Sequence, residues 1–294
     1  MKATRVSILG LGLIGGSLGL AFRSIESEKI HVTGYARRRE TGELALSMGA
    51  VDSMATTPQE AVKDADFVFL CTPVLQMLSM ALCVLPHMKL GAVLTDVGST
   101  KRWFADTLRP LLPLGVQYIG GHPMAGREKS GLSAAMPDLF LNRWYIFTPA
   151  ADAPPDVVDE LQRLVGLTGA MTAVMAVEQH DQVTAVISHV PHVAAAALVH
   201  LLKKEMNPTE TARFIGGGFR DTTRIASSDA DMWADICMTN PDNIANNLEE
   251  LAVVLSDVAR LIRSGDRSSI HDYFSEAKQL RDSLLAQEKT SVTG

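Results

Sequence analysis

A chain of 294 residues is long for a single small domain and suits two domains sharing an interface. With 47% hydrophobic and 20% charged residues and a formal net charge of -6, it has the composition of a globular protein with a sizeable core, and the acidic balance argues against a dedicated nucleic-acid surface. Its three cysteines, Cys71, Cys83 and Cys237, are odd in number and form no CxxC pair, which indicates neither a disulfide framework nor a zinc site and points to a reducing compartment.

Met1–Arg5 carries no basic region, hydrophobic signal core or cleavage site, and no apolar run reaches membrane-spanning length, so a cytoplasmic location without membrane contact is expected. Arg5–Leu9 then reads as an apolar strand that stops at Gly10, and Gly15–Ala21 opens a helix rich in small residues. The alternation continues with strands at His31–Tyr35, Phe67–Cys71 and Ala92–Val97 and helices at Glu40–Met48, Leu75–Leu85 and Thr100–Leu111. Such alternation predicts an α/β fold with a Rossmann-like, doubly wound and mostly parallel sheet. Val116–Gly120 and Trp144–Phe147 are further strand candidates, followed by a helix at Asp156–Leu167 and a last strand near Met171–Val177.

Beyond Glu178 the apolar spacing is helical throughout, at Gln179–Lys204, Thr209–Phe214, Asn243–Arg263 and Ser268–Gln287, while Glu288–Gly294 reads as a disordered tail. The expected division is a dinucleotide-binding domain of residues 1–174 and an all-helical substrate and dimerisation domain of residues 175–294, with the active site in the cleft between them. The helices offer more apolar surface than a lone hairpin buries, which predicts a homodimer through this half.

The segment Gly10-Leu11-Gly12-Leu13-Ile14-Gly15 lies between a strand and a helix, as a dinucleotide fingerprint requires. Gly10 permits the tight turn, Gly12 lets backbone approach a pyrophosphate, Gly15 lets helix and strand pack closely, and the helix start offers N–H groups to phosphate. Leu13, Ile14 and Thr72 complete the expected cofactor edge. At the end of the second strand an NAD-preferring fold places an acid; here Ala36 is followed by Arg37, Arg38 and Arg39, a composition suited to the 2′-phosphate of NADP, with NAD as the alternative.

Three further segments carry specific information: Asp96–Lys101 (DVGSTK), Gly121–Gly131 (GHPMAGREKSG) and Gly218–Ala226 (GFRDTTRIA). Together with the glycine loop and with His180-Asp181 and Ser188-His189-Val190-Pro191-His192, they resemble the prephenate and arogenate dehydrogenases of tyrosine biosynthesis. The resemblance implies hydride transfer from ring C4 to a nicotinamide with loss of the ring carboxylate. It makes His122 the catalytic base, a role needing imidazole tuned near neutral pH, and Ser99 the residue that orients His122 and touches substrate and nicotinamide. Arg224 is implied as the carboxylate anchor. His192 and Trp233 become pocket residues, and Glu128 and Asp221 part of a polar network at the pocket mouth.

Lys101 reads as a solvated helix residue, Arg220 and Arg213 as surface or interdomain charges, and no metal site is expected from His180, His189 and His192. Prephenate is the expected substrate, with arogenate or dual specificity as alternatives because the two substrates differ only in a keto or ammonium group. The rival classes are a β-hydroxy acid dehydrogenase, which gives no reason for Gly121–Gly131, and a non-catalytic nucleotide-sensing dimer, which need not keep Ser99, His122 and Arg224 together. Neither a fused chorismate mutase nor a regulatory ACT domain is expected.

Overall fold

The computed structural model describes residues 3–127, 129–205 and 207–293. Two compact units are present, Met1–Pro241 and Asp242–Gly294. The first is built on an eight-stranded sheet: β1 (Thr4–Leu9), β2 (Ile30–Tyr35), β3 (Ser53–Met54), β4 (Phe67–Leu70), β5 (Val93–Asp96), β6 (Gln117–Pro123), β7 (Trp144–Pro149) and β8 (Met171–Val174). Their order is β3-β2-β1-β4-β5-β6-β7-β8, and every neighbouring pair is parallel except antiparallel β6–β7. Helices α1 (Leu13–Arg23), α2 (Arg39–Ser47), α3 (Pro58–Val62), α4 (Val74–Val84), α5 (Arg102–Leu108) and α6 (Pro155–Gly166) connect the strands.

Both faces of the sheet are covered, which explains why β4 is apolar at every position. Phe67 and Phe69 join one core with Val6, Ile8, Phe22 and Leu161, while Val68 and Leu70 join the opposite core with Leu9, Met77, Leu94 and Phe104. The strand order reverses between β1 and β4, so the turns after these strands open a crevice at the carboxyl edge of the sheet. Four segments meet along that edge: the glycine loop after β1, Cys71–Thr72 after β4, Gly98–Ser99 after β5, and His122 near the end of β6.

After β8 the unit continues as α7 (Val177–Thr184), a π-helical turn (Ala185–His189), α8 (Val190–Glu205), α9 (Pro208–Thr211), α10 (Gly217–Thr223) and α11 (Ala230–Thr239). Helices α10 and α11 fall where the sequence spacing names no element. The run Val177–Lys204 is long and apolar enough, by length and composition, to span a membrane, contrary to the reading of uninterrupted apolar residues alone. The difference is that it mixes apolar residues with uncharged polar ones, and its Asp181 is buried in protein contacts.

The second unit holds α12 (Pro241–Ser264), whose first residue closes the first unit, and α13 (Arg267–Thr293). The latter runs to Thr293, into the segment expected to be disordered, which contains the good helix formers Glu288 and Lys289.

Candidate active site

At the start of α1 the sequence dictates an open cradle. Gly10 has φ +106°, and a Cβ there would stand 2.7 Å from the Cys71 carbonyl oxygen, so only glycine makes the turn. A Cβ on Gly15 would lie 2.0 Å from the Gly10 carbonyl oxygen, which fixes that glycine by packing. Gly12 differs: a Cβ there meets no protein atom within 4 Å, although the residue lines a cavity. What a side chain would obstruct at Gly12 is therefore a ligand. The N-terminus of α1 has no side-chain cap and no acid in its first turn, which leaves its N–H groups and dipole to an anion. Thr72 Oγ1, on the same cavity, is buried without a protein partner. These residues fit the pyrophosphate of a dinucleotide.

The cavity has a volume of about 1160 Å³. Gly12, Leu13, Ile14, Thr72 and Ser99 line one side, and Phe219, Arg220, Thr223, Arg224 and Met232 the other. Arg127 and Lys129, from the loop after β6, add further cations to its wall. Arg220, read from sequence as a surface or interdomain charge, shares the wall with Arg224: the turn following α10 brings both guanidinium-bearing positions to the same opening. Gly10, Gly15, Arg37, Arg38, Asp221, His122, His192 and Trp233 are not part of this wall. Arg37 and Arg38 are exposed just beyond β2.

Behind Ser99 lies a buried polar cluster. Lys101 is fully buried, not solvated: its ammonium pairs with Asp96 and donates to the Gly121 carbonyl oxygen at 2.7 Å. Asp96 also accepts from Gly98 N at 2.8 Å and from the Tyr118 hydroxyl at 2.8 Å. A carboxylate buried at a strand end requires such compensation, and Lys101 supplies it while tying the loop after β5 to the strand that carries His122.

On β6, His122 lies opposite Ile146 of β7 and is 8% exposed. Its Nδ1 is 2.8 Å from His180 Nε2, and His180 Nδ1 is 2.8 Å from Asp181 Oδ1. The Asp181 carboxylate accepts from the backbone N–H groups of Lys101 and Arg102, each at 2.9 Å. Burial pushes His122 well below the usual histidine range, and nearby His180, Lys101 and His189 push in the same direction. A ring so placed is neutral at neutral pH, the protonation state in which an imidazole can accept a proton.

His180 and His189 are nine residues apart, two and a half turns of regular α-helix, which would set them on opposite faces. The wider π turn between them changes the register, and Asn240 reaches both sides of it, donating to the Asp181 carbonyl oxygen at 2.9 Å with His189 Nδ1 at 3.4 Å. His189 is held down to about 4, first by burial, with Asp181 opposing. His192 stacks on Trp233 with ring centroids 3.9 Å apart, and burial together with the Arg224 charge lowers it.

Two family models account for most of the chain: prephenate dehydrogenase, nucleotide-binding domain, over residues 18–174, and prephenate dehydrogenase, dimerization domain, over residues 176–276. The chain belongs to the prephenate dehydrogenase family. It is 40% identical to prephenate dehydrogenase of Bacillus subtilis (strain 168), over 99% of this chain and 79% of that one. Cyclohexadienyl dehydrogenase of Zymomonas mobilis subsp. mobilis is 31% identical, over 95% of each. The crystal structure of prephenate dehydrogenase from A. aeolicus in complex with hydroxyphenyl propionate and NAD+ superposes with a TM-score of 0.89 at 30% identity, covering 97% of this chain and 99% of that one.

As a prephenate dehydrogenase family member the chain is an oxidoreductase with a Rossmann-like nucleotide-binding half. Of the residues singled out from sequence, the fold gathers Gly12, Leu13, Ile14, Thr72, Ser99 and Arg224 around one cavity. His122 does not line it and is bonded to His180, not to Ser99. Glu128 lies outside the described residues. Sequence reasoning gave no role to His180 and Asp181. The signal available was a His-Asp pair within an apolar helical run, two ionisable groups whose burial demands partners.

Proposed function

We propose that this chain oxidatively decarboxylates prephenate to 4-hydroxyphenylpyruvate, reducing NAD or NADP, within tyrosine biosynthesis. The observation that carries this reading is His122: a neutral imidazole whose Nδ1 is engaged by protein while its Nε2 has no partner among the described residues, carried on β6 next to β5, the strand that leads into Ser99 of the cavity. When bound, the nicotinamide supplies the hydride acceptor. His122 accepts the C4 hydroxyl proton as hydride departs. It returns the proton to the same oxygen once loss of the ring carboxylate as carbon dioxide has delivered an electron pair to the aromatising ring. Ser99 touches substrate and nicotinamide, and Arg224 grips a substrate carboxylate through paired hydrogen bonds. His192 and Trp233 shape the substrate side, with Asp221 in the polar network at the mouth.

NADP is the favoured cofactor, because Ala36 offers no carboxylate to a ribose diol and Arg37 and Arg38 stand exposed at the end of β2. The domain division is 1–174 and 175–294, and the location is cytoplasmic, in keeping with three free thiols. Homodimerisation through the helical half is supported by the dimerization-domain match and by exposed apolar side chains such as Val253, Leu255 and Ile262 on α12 and Phe274 and Leu280 on α13. Reduction of NADP and NAD is to be assayed with prephenate, arogenate and a panel of β-hydroxy acids. The expected result is turnover of prephenate with the higher kcat/KM and NADP with the lower KM. A tenfold or greater preference for arogenate, or turnover of β-hydroxy acids alone, overturns the reading.

A further inference from the structure

With His180 neutral, the hydrogen bonds around His122 permit one consistent assignment of donors and acceptors. An ionised carboxylate only accepts, and Asp181 already accepts from two backbone N–H groups, so His180 Nδ1 is the donor in the bond between them. In a neutral imidazole the other nitrogen is then an acceptor, so His180 Nε2 accepts and His122 Nδ1 donates. His122 Nε2 is left with the lone pair. We infer that Asp181 and His180 form a positioning pair for His122, fixing the tautomer that leaves Nε2 free to take the substrate proton and steadying the charge that His122 then acquires.

The pair is built to stay in place. His180 is fully buried and Asp181 is 1% exposed, and Asn240, the residue after α11, holds the Asp181 carbonyl. The carboxylate bridges α7 to the start of α5, so the base on β6 is oriented from a second, separate element. Its charged and titratable surroundings are Lys101 and Asp96 from the β5–α5 side, His180 and Asp181 from α7, and His189 from the π turn. Of these only Asp181 carries negative charge that is not already matched by a cation, which makes it the counterweight to a protonated His122. A base whose proton affinity is depressed by burial needs such a counterweight when it takes a proton.

The inference rests on His122 being the base, and the test separates the two. In wild-type enzyme with 15N-labelled histidine, His122 and His180 are both expected as Nδ1–H tautomers at neutral pH. A His122 ring protonated at Nε2 overturns the assignment whatever the kinetics. His180→Leu removes the acceptor, so kcat is expected to fall by about 10²-fold with KM for prephenate and cofactor moving less than about threefold. His180→Gln returns an acceptor of similar reach and is expected to recover at least tenfold of that loss. If Leu and Gln variants fall equally, or neither lowers kcat, the pair does not position the base. If His122→Asn itself retains normal kcat, the reading of the base fails instead.

Discussion

His122 combines two properties that pull apart: it must be neutral to accept a proton, and burial that keeps it neutral also weakens it as a base. His122→Asn keeps a hydrogen-bonding group but cannot take a proton at neutral pH, so kcat is expected to fall by roughly 10²–10⁴-fold while KM moves far less. The contrast is Arg224→Ala, where loss of a carboxylate anchor is expected mainly as a raised KM for prephenate. Steady-state kinetics of the two variants check both; a raised KM with intact kcat in the His122 variant would assign it to binding.

Within the glycine loop, positions three residues apart answer to different demands. At Gly15 the neighbouring backbone forbids a side chain, whereas at Gly12 only a ligand would object. Gly15→Ala is therefore expected to lower the melting temperature by several degrees, and Gly12→Ala to leave it within about 1 °C while raising the KM for cofactor more than about tenfold. Equal thermal loss in both would show that Gly12 serves packing. This loop was legible in the sequence because its strand, turn and helix are contiguous, as was the alternation that builds the sheet. The two-residue β3 is too short to show alternation, and α10 hides behind Gly216–Gly218. Motifs located Ser99, His122 and Arg224, but the bond from His122 to His180 spans 58 residues and arises only when α7 docks beneath β6. Lys101 was misread for the same reason, since its partners Asp96 and Gly121 define an interior that spacing alone does not reveal.

For the first unit as a whole, the buried histidines couple folding to pH. His122 and His189 are both depressed in the folded protein, so they stay neutral there while the unfolded chain takes up protons near pH 6.5. Stability is thus full above about pH 6.5 and declines as the pH falls toward the folded value of His189, about 4. Melting temperatures measured from pH 7.5 to 5 are expected to drop steadily, with a shallower slope in His189→Gln; a flat profile would contradict the burial of these rings as neutral species. The π turn sets a different kind of constraint on the same unit. Because Ala185–His189 winds more widely than its neighbours, it takes up one residue more than an α turn holds and so leaves His180 and His189 on a shared interior. Deleting a single residue there would heal the helix into uniform α-winding with little change of facing, because eight residues of regular helix turn about 80° beyond whole turns where nine would turn about 180°. The segment consequently tolerates exchange at exposed Val186 and Ile187, and its extra residue is slack that lets the flanking helices keep their facing toward the site.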